Sequence, residues 1–194
     1  MSVYETSRQP DFQKDIATYG KIGENFFMNT FGKALTSRGE QIYDVSNRLF
    51  WQKIDVDLVI SKGGKPLVDS FEAVSDDSFL KIEIKVDTRA AHTGNLPFEI
   101  ISHGGWGWGI KSHADKVFVV LCEDGIQNGM IYAHKAYLID MLKWKVFASY
   151  SSNTFRNAPN RIVNEEIYDF LCKIEHMKKV PGLILGEIEI NGWI

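Results

Sequence analysis

Four ionisable side chains in the first half of the chain have the types and the spacing that metal-assisted hydrolysis requires. Asp55 and Asp57 lie two residues apart, and Glu83 and Lys85 are spaced in the same way further along the chain. Side chains two residues apart point to the same face of a β-strand, so each pair would share one face. Carboxylates that face one another across a sheet repel, and a divalent cation such as Mg²⁺ removes that conflict. The pattern therefore predicts a metal site.

A cation held by these carboxylates could contribute to phosphodiester hydrolysis in two ways. It could activate a water molecule, and it could stabilise the negative charge that develops during the reaction. Lys85 would lie on the same face, where it could orient or deprotonate the attacking water or stabilise that charge. An alternative interpretation needs no metal, because the same side chains could form a solvated sheet face with cross-strand salt bridges.

Hydrophobic periodicity predicts the elements that must position these residues. Apolar residues recur mostly every three or four positions in Asp11–Arg38, which indicates an amphipathic helix that Asp11 begins and Gly39 ends. Glycines in this helix could let another element pack closely against it. Six segments are predicted as strands: Ile42–Val45, Lys53–Ile60, Phe79–Val86, Lys116–Cys122, Gly129–Ala133 and Leu183–Ile190. A hairpin turn is predicted at Gly63–Gly64, and two later helices are predicted at Lys135–Tyr150 and Asn164–Lys178.

Composition limits the classes of protein to which the chain could belong. Its 194 residues, 44% of them hydrophobic, fit a single domain, 1–194, with a substantial core. The net charge of −3 argues against nonspecific coating of nucleic acid, because phosphate binding depends on Lys and Arg. We expect a cytoplasmic protein with no membrane partner, since no apolar run is long enough to cross a bilayer and no signal peptide is evident. Cys122 and Cys172 are expected to be reduced core residues.

The order of these features resembles the PD-(D/E)XK nuclease superfamily. Asp57 is followed, after a hairpin-sized gap of 83 − 57 = 26 residues, by the triplet Glu83–Ile84–Lys85. The order of helix, strand, hairpin and strand also matches, and Glu24 lies in the first helix, which often supplies a further glutamate in that superfamily. The resemblance covers about residues 11–121, while 134–194 lies outside it. It implies an α/β protein with a restriction-endonuclease-like core, in which a mixed central sheet is flanked by helices.

The chain departs from the superfamily's pattern at the proline that precedes the aspartate. Val56 stands before Asp57, and Ile54 stands before Asp55. Asp57 is preferred as the matching residue, because the apolar run Leu58–Val59–Ile60 follows it. Asp55 would then be a second ligand or a neighbour.

The resemblance implies a Mg²⁺-dependent endonuclease that hydrolyses DNA, in which Mn²⁺ could replace Mg²⁺. No nucleotide cofactor is expected, because the sequence contains neither a Walker loop nor a G-x-G-x-x-G motif. The catalytic residues would be Asp57, Glu83, Lys85 and Glu24. The metal ligands would be Asp57 and Glu83, with Asp55 and Glu99 as further candidates. For Glu24, an exposed helix position without function is the alternative. Such domains often form homodimers that cut two strands.

The segment after Lys85 adds candidate DNA contacts. Asp87–Thr88–Arg89 and Thr93–Glu99 resemble the segment that follows the motif in some phage and bacterial members. Five residues are predicted to bind nucleic acid: Thr93, Asn95, Trp106, Trp108 and Lys111. Glycines flank both tryptophans, which would suit a mobile wedge or a stacking platform, although packing over the core is an equal alternative. The competing functions are an inactive DNA- or protein-binding module, a nuclease for RNA or branched DNA, and an α/β protein whose acidic face is incidental.

Overall fold

A computed structural model describes residues 12–102, 105–149, 154–157 and 168–194, with backbone alone at 12–17 and 154–157. These residues form seven helices and ten strands. The helices are α1 (Phe12–Ser37), α2 (Leu49–Gln52), α3 (Phe71–Ser75), α4 (Ala90–Thr93), α5 (Trp108–Lys111), α6 (Met141–Ala148) and α7 (Ile174–Met177). The strands are β1 (Gln41–Asp44), β2 (Leu58–Ser61), β3 (Phe79–Asp87), β4 (Asn95–Ser102), β5 (Gly105–Trp106), β6 (Lys116–Cys122), β7 (Tyr132–Asp140), β8 (Thr154–Asn157), β9 (Tyr168–Lys173) and β10 (Ile184–Trp193).

The described strands form two sheets. The larger sheet has six strands in the order β1-β2-β3-β6-β7-β10, and the smaller has four in the order β5-β4-β9-β8. In the larger sheet β3 and β6 run parallel, whereas the other neighbouring strands run antiparallel. The prediction of an α/β protein with a mixed central sheet flanked by helices is therefore confirmed.

The central strand β6 has apolar side chains on both faces of the larger sheet. Phe118 and Val120 pack on one side with Phe27 of α1, while Val117 and Val119 pack on the other. That second side is covered by α6, by β4 and β9 of the smaller sheet, and by α7. A strand covered on both faces has a continuous apolar sequence, which explains why the strand prediction at Lys116–Cys122 is confirmed.

Helix α1 ends and packs as its glycines suggest. Gly39 has a positive φ of 77°, and the N–H of Glu40 donates to the carbonyl of Leu35, which closes the helix in the manner of a glycine cap. Asp11, the predicted first cap, lies outside the described residues. A Cβ at Gly23 would lie 2.8 Å from Val86 Cγ2, so this glycine lets α1 rest directly on β3.

The predicted strand Lys53–Ile60 is wrong in its first half. The chain turns after α2, Asp55 has a positive φ of 46°, and β2 begins only at Leu58. Ile54 and Val56 are buried with Trp51 in a small cluster of their own, so their alternation reflects a packed turn. β2 and β3 pair antiparallel as predicted, but a tight turn at Gly63–Gly64 is wrong, because a 3₁₀ turn at Lys62–Gly64 and helix α3 lie between the two strands.

The two predicted C-terminal helices are each a strand in their first described part and a helix in their second. In Lys135–Tyr150 the first half belongs to β7, which pairs with both β6 and β10, and α6 begins only at Met141. In Asn164–Lys178 the described part is β9 followed by the short α7. Helical and strand periods are hard to separate in short apolar segments, and pairing within a sheet decides between them. The strand predicted at Gly129–Ala133 starts at Tyr132, after a turn in which Gly129 has a φ of 77°.

Two further predictions concern the state of the two cysteines and membrane-spanning segments. Cys122 and Cys172 are both buried free thiols, as predicted. Among the described residues, no helix is both long and apolar enough to cross a bilayer.

Gly23→Ala should destabilise the protein even though alanine favours helix. The new methyl group would meet Val86 Cγ2 at 2.8 Å and Ile84 Cγ2 at 2.9 Å, and neither branched side chain can move freely. We expect the free energy of unfolding, measured in urea, to fall by about 1–3 kcal/mol. Gly20→Ala is the matched control, because its Cβ would meet no described atom within 4 Å, and it should stabilise by up to about 1 kcal/mol. Equal stability of the two variants would contradict the close contact.

Candidate active site

Asp57 lies directly before β2, where the pairing between β2 and β3 ends. The last residue pair between these strands is Leu58 with Ile82, whereas β3 continues to Asp87 beside β6. The N–H of Asp57 donates to the Ile82 carbonyl (3.0 Å), and its Oδ2 accepts from the N–H of Ile84 (2.8 Å). Backbone and side chain of Asp57 are therefore both fixed to the strand that carries Glu83 and Lys85.

Glu83 is the most deeply buried acidic group at this point, with 3% of its surface exposed. Its carboxylate lies close enough to that of Asp57 for their charges to repel one another, and its Oε1 lies 2.6 Å from Lys85 Nζ. Its Oε2 is buried and has no hydrogen-bond partner among the described residues. A buried carboxylate oxygen without a donor is costly, so this atom is one that a ligand could satisfy.

The predicted catalytic residues come together in one cleft of about 880 Å³. It is lined by Glu24 from α1, Asp57, Glu83 and Lys85, and its far wall is formed by residues 124–126 after β6. Glu24 is 7% exposed and accepts hydrogen bonds from Lys21 Nζ (2.8 Å) and Ser46 Oγ (3.1 Å), so the alternative of an exposed helix position is wrong.

Burial and mutual repulsion shift the protonation of the central carboxylates. Burial, together with the Glu83 charge, raises the pKa of Asp57 to about 8. Burial also raises the pKa of Glu83, although Lys85 opposes that shift. For Lys85, burial alone would lower the pKa, but the charges of Glu83, Asp57 and Asp55 outweigh it and raise the pKa. Near neutral pH the Asp57–Glu83 pair therefore retains a proton, while Lys85 is charged.

Asp55 and Asp57 do not share a strand face, contrary to the expectation from their spacing. Asp55 lies in the turn before β2, and its Oδ2 is 3.3 Å from Lys111 Nζ in a geometry that makes no hydrogen bond. Among the described residues that line the cleft, Asp57 is present and Asp55 is not. Asp55 acts on the site through its charge, which raises the pKa values of Glu83 and Lys85.

Glu99 approaches the site from the side of β4. Its Oε1 accepts the N–H of Trp108 (3.2 Å), and burial raises its pKa while the charge of Lys85 opposes that shift. Lys85 Nζ lies 5.1 Å from the centre of the Trp108 ring, so Trp108 forms part of the surroundings of the lysine. Glu99 is not among the described residues that line the cleft, and its placement fits support of Trp108 better than metal binding.

The predicted nucleic-acid contacts are not brought together. Thr93 and Asn95 line a separate cleft of about 600 Å³, and they hydrogen-bond to one another (Asn95 Nδ2 to the Thr93 carbonyl, 2.8 Å). Lys111 is paired with Asp55. Trp106 is 65% exposed and remains available to a partner.

Trp108 is a packed residue rather than a mobile wedge. Its ring lies 5.6 Å from that of Phe98 and 5.4 Å from that of Trp144. The neighbouring glycines permit close approach: a Cβ at Gly107 or Gly109 would come within 2.6 Å of Glu99. The alternation of glycine and tryptophan thus lets α5 rest against β4.

Further cleft residues are not singled out from the sequence as individual site residues. Tyr19 joins α1 to the far wall, because its hydroxyl accepts the Gly125 N–H (2.7 Å) and donates to Asp124 Oδ1 (3.3 Å). Thr88 and Arg89 line the cleft at the end of β3. No local signal identifies the residues of the far wall, since only the parallel pairing of β3 with β6 brings them here.

The donor set of the cleft fits a hard divalent cation that binds through few protein ligands. In the described part of the chain, no three His, Cys, Asp or Glu side chains are arranged to hold a metal ion. Mg²⁺, however, is usually bound by one or two carboxylates together with water and substrate phosphate. The neighbouring carboxylates of Asp57 and Glu83 match that requirement, since Glu83 Oε2 has no hydrogen-bond partner in the described part of the chain.

No protein-family model matches the chain, and no curated protein or solved structure shows significant similarity to it. Its function must therefore be inferred from the geometry of the cleft.

The raised pKa of Asp57 predicts how stability depends on pH in EDTA. An acid whose pKa is higher in the folded state stabilises the fold fully below its unfolded pKa, near 4, and that contribution is lost as pH rises through about 8. Asp57→Asn cannot ionise, so its free energy of unfolding relative to the unmodified protein should rise between pH 5 and 9, by on the order of 2 kcal/mol. Asp77→Asn, at an exposed position, is the control. If the free energies of unfolding of all three proteins changed with pH in the same way, the raised pKa of Asp57 would be contradicted.

Proposed function

We propose that the protein is a Mg²⁺-dependent endonuclease that hydrolyses phosphodiester bonds in DNA. The observation that carries this proposal is the convergence of Glu24, Asp57, Glu83 and Lys85 on one cleft, where two carboxylates repel one another and one buried oxygen has no hydrogen-bond partner among the described residues. Folding alone gives no reason to bury such a group, whereas perturbed carboxylates in a cleft are typical of functional sites.

The arrangement of elements supports a restriction-endonuclease-like core. Helix α1 precedes three antiparallel strands, β1, β2 and β3, and supplies a glutamate to the cleft. This is the order expected of a PD-(D/E)XK protein, with α3 inserted between β2 and β3. A homodimer, the use of Mn²⁺ and a cytoplasmic location stay predictions.

Each side chain of the cleft has a distinct proposed role. Asp57 and Glu83 would hold the cation, which when bound supplies Lewis acidity to water and phosphate. Glu24 is held by Lys21 and Ser46 at the edge of the cleft, where its carboxylate can accept a hydrogen bond from water. Because its pKa is raised, Lys85 is suited to orienting water and stabilising negative charge on the phosphate, and not to removing a proton.

The proposal can be tested by assaying cleavage of plasmid, duplex, single-stranded and junction DNA, and of RNA, in Mg²⁺, Mn²⁺ or EDTA. Glu83→Gln and Lys85→Ala should each lower the rate at least about 100-fold, because each removes a group that stabilises the transition state. Asp77→Asn and Lys62→Ala change exposed residues of the same types and should leave the rate unchanged. Cleavage that persists in EDTA, or in both cleft variants, would exclude this mechanism, and preference for RNA would change the substrate class.

Asp55 and Asp57 can be separated by the same assay. Asp57→Asn should abolish Mg²⁺-dependent cleavage, because this carboxylate lines the cleft together with Glu83. Asp55→Asn should reduce the rate by no more than about tenfold, since it removes a nearby charge but no proposed ligand. The reverse ranking would assign the metal to Asp55.

A further inference from the structure

The cleft contains more acidic groups than basic ones. Its acidic lining residues are Glu24, Asp57, Glu83 and Asp124, and its basic lining residues are Lys85 and Arg89. A polynucleotide carries a negative charge at every phosphate, and its binding depends on cationic side chains. This substrate therefore needs a cation in the cleft that is not already neutralised by the protein.

Lys85 does not meet that need by itself. Its ammonium lies 2.6 Å from Glu83 Oε1, so its charge compensates the buried carboxylates. Arg89 lines the same cleft, has an exposed side chain, and forms no ion pair with any acidic residue that the structure describes.

The backbone of Arg89 is held in place by hydrogen bonds, whereas its guanidinium forms no ion pair with the acidic residues that the structure describes. Asp87 Oδ1 accepts the N–H groups of Arg89 (2.8 Å) and Ala90 (2.6 Å), which fixes the turn from β3 into α4. The next residue, Ala90, is 1% exposed and anchors this turn in the core. The guanidinium of Arg89 is therefore attached to a fixed backbone position, four residues beyond Lys85.

We propose that Arg89 binds a phosphate of the polynucleotide next to the one that is cut, and so positions the strand over Asp57 and Glu83. This inference rests on the proposed nuclease function and adds the residue that holds the substrate. A guanidinium can donate two parallel hydrogen bonds to phosphate oxygens, which fixes orientation as well as charge. Arg89 is a positioning residue in this scheme, and takes no part in bond cleavage.

Binding can be measured apart from cleavage, by fluorescence anisotropy of a labelled DNA duplex and single strand in Ca²⁺ and in EDTA. Arg89→Ala should weaken binding about tenfold and reduce the slope of log K against log salt by about 1. Arg89→Lys keeps the charge and should restore the slope while recovering only part of the affinity. Arg38→Ala is the matched control, because this exposed arginine follows α1 and is not a lining residue of the cleft.

A second measurement identifies the contact itself. Single phosphates of the strand are replaced in turn by uncharged methylphosphonates. At one position, the methylphosphonate should weaken binding to the unmodified protein by the same factor as Arg89→Ala weakens binding to unmodified DNA. At that position the methylphosphonate should not weaken binding to Arg89→Ala any further. In cleavage assays Arg89→Ala should raise KM and leave kcat nearly unchanged.

The outcomes separate this inference from the proposed function. Unchanged affinity and salt slope in Arg89→Ala, with cleavage intact, would overturn the role of Arg89 alone. Arg89-dependent binding without cleavage in any metal would overturn the nuclease and leave the phosphate site standing. Uniform losses across all methylphosphonate positions, or no binding of any polynucleotide, would overturn the phosphate contact.

Discussion

The repulsion between the neighbouring, buried carboxylates of Asp57 and Glu83 is the constraint on which the rest of the site depends. The Asp57 carboxylate is held against β3 by the Ile84 N–H. The Glu83 carboxylate, which belongs to β3, is paired with Lys85. Two neighbouring buried carboxylates cannot both ionise without cost, so the pair needs a proton or a cation. The fold keeps this costly pair at the wall of an open cleft, and metal-dependent chemistry gives a reason for doing so.

Three features of the fold bring these carboxylates to one cleft. The turn at Asp55, packed through Ile54 and Val56, delivers Asp57 to β3 where β2 ends. Gly23 allows α1 to lie on β3 and brings Glu24 to the same cleft. Strand β6, covered on both faces, supports β3 along the rest of its length and leads to the far wall of the cleft. The site therefore lies where β3 has lost one neighbouring strand and keeps the other.

The sequence predicts the centre of the site better than its surroundings. Glu83 and Lys85 could be predicted because they lie within one strand, where alternation determines which face each residue takes. Asp57 does lie next to them, as predicted, but the prediction relied on strand alternation from residue 53 on, and the alternation around Asp55 belongs to a packed turn. Thr93, Asn95 and Lys111 could not be assigned from sequence, because their positions depend on how α4 and α5 pack. The second part of β7, from Lys135 on, is predicted as a helix, because its apolar pattern fits both periods and its pairing with β6 and β10 is not local.

Calorimetric titration with Mg²⁺ at pH 7, repeated in buffers of different ionisation enthalpy, tests the central claim most directly. If the Asp57–Glu83 pair holds a proton and exchanges it for the metal, binding should release about one proton per Mg²⁺ bound. The release should disappear in Asp57→Asn. Binding of Mg²⁺ without proton release, or no binding to the unmodified protein, would contradict the account.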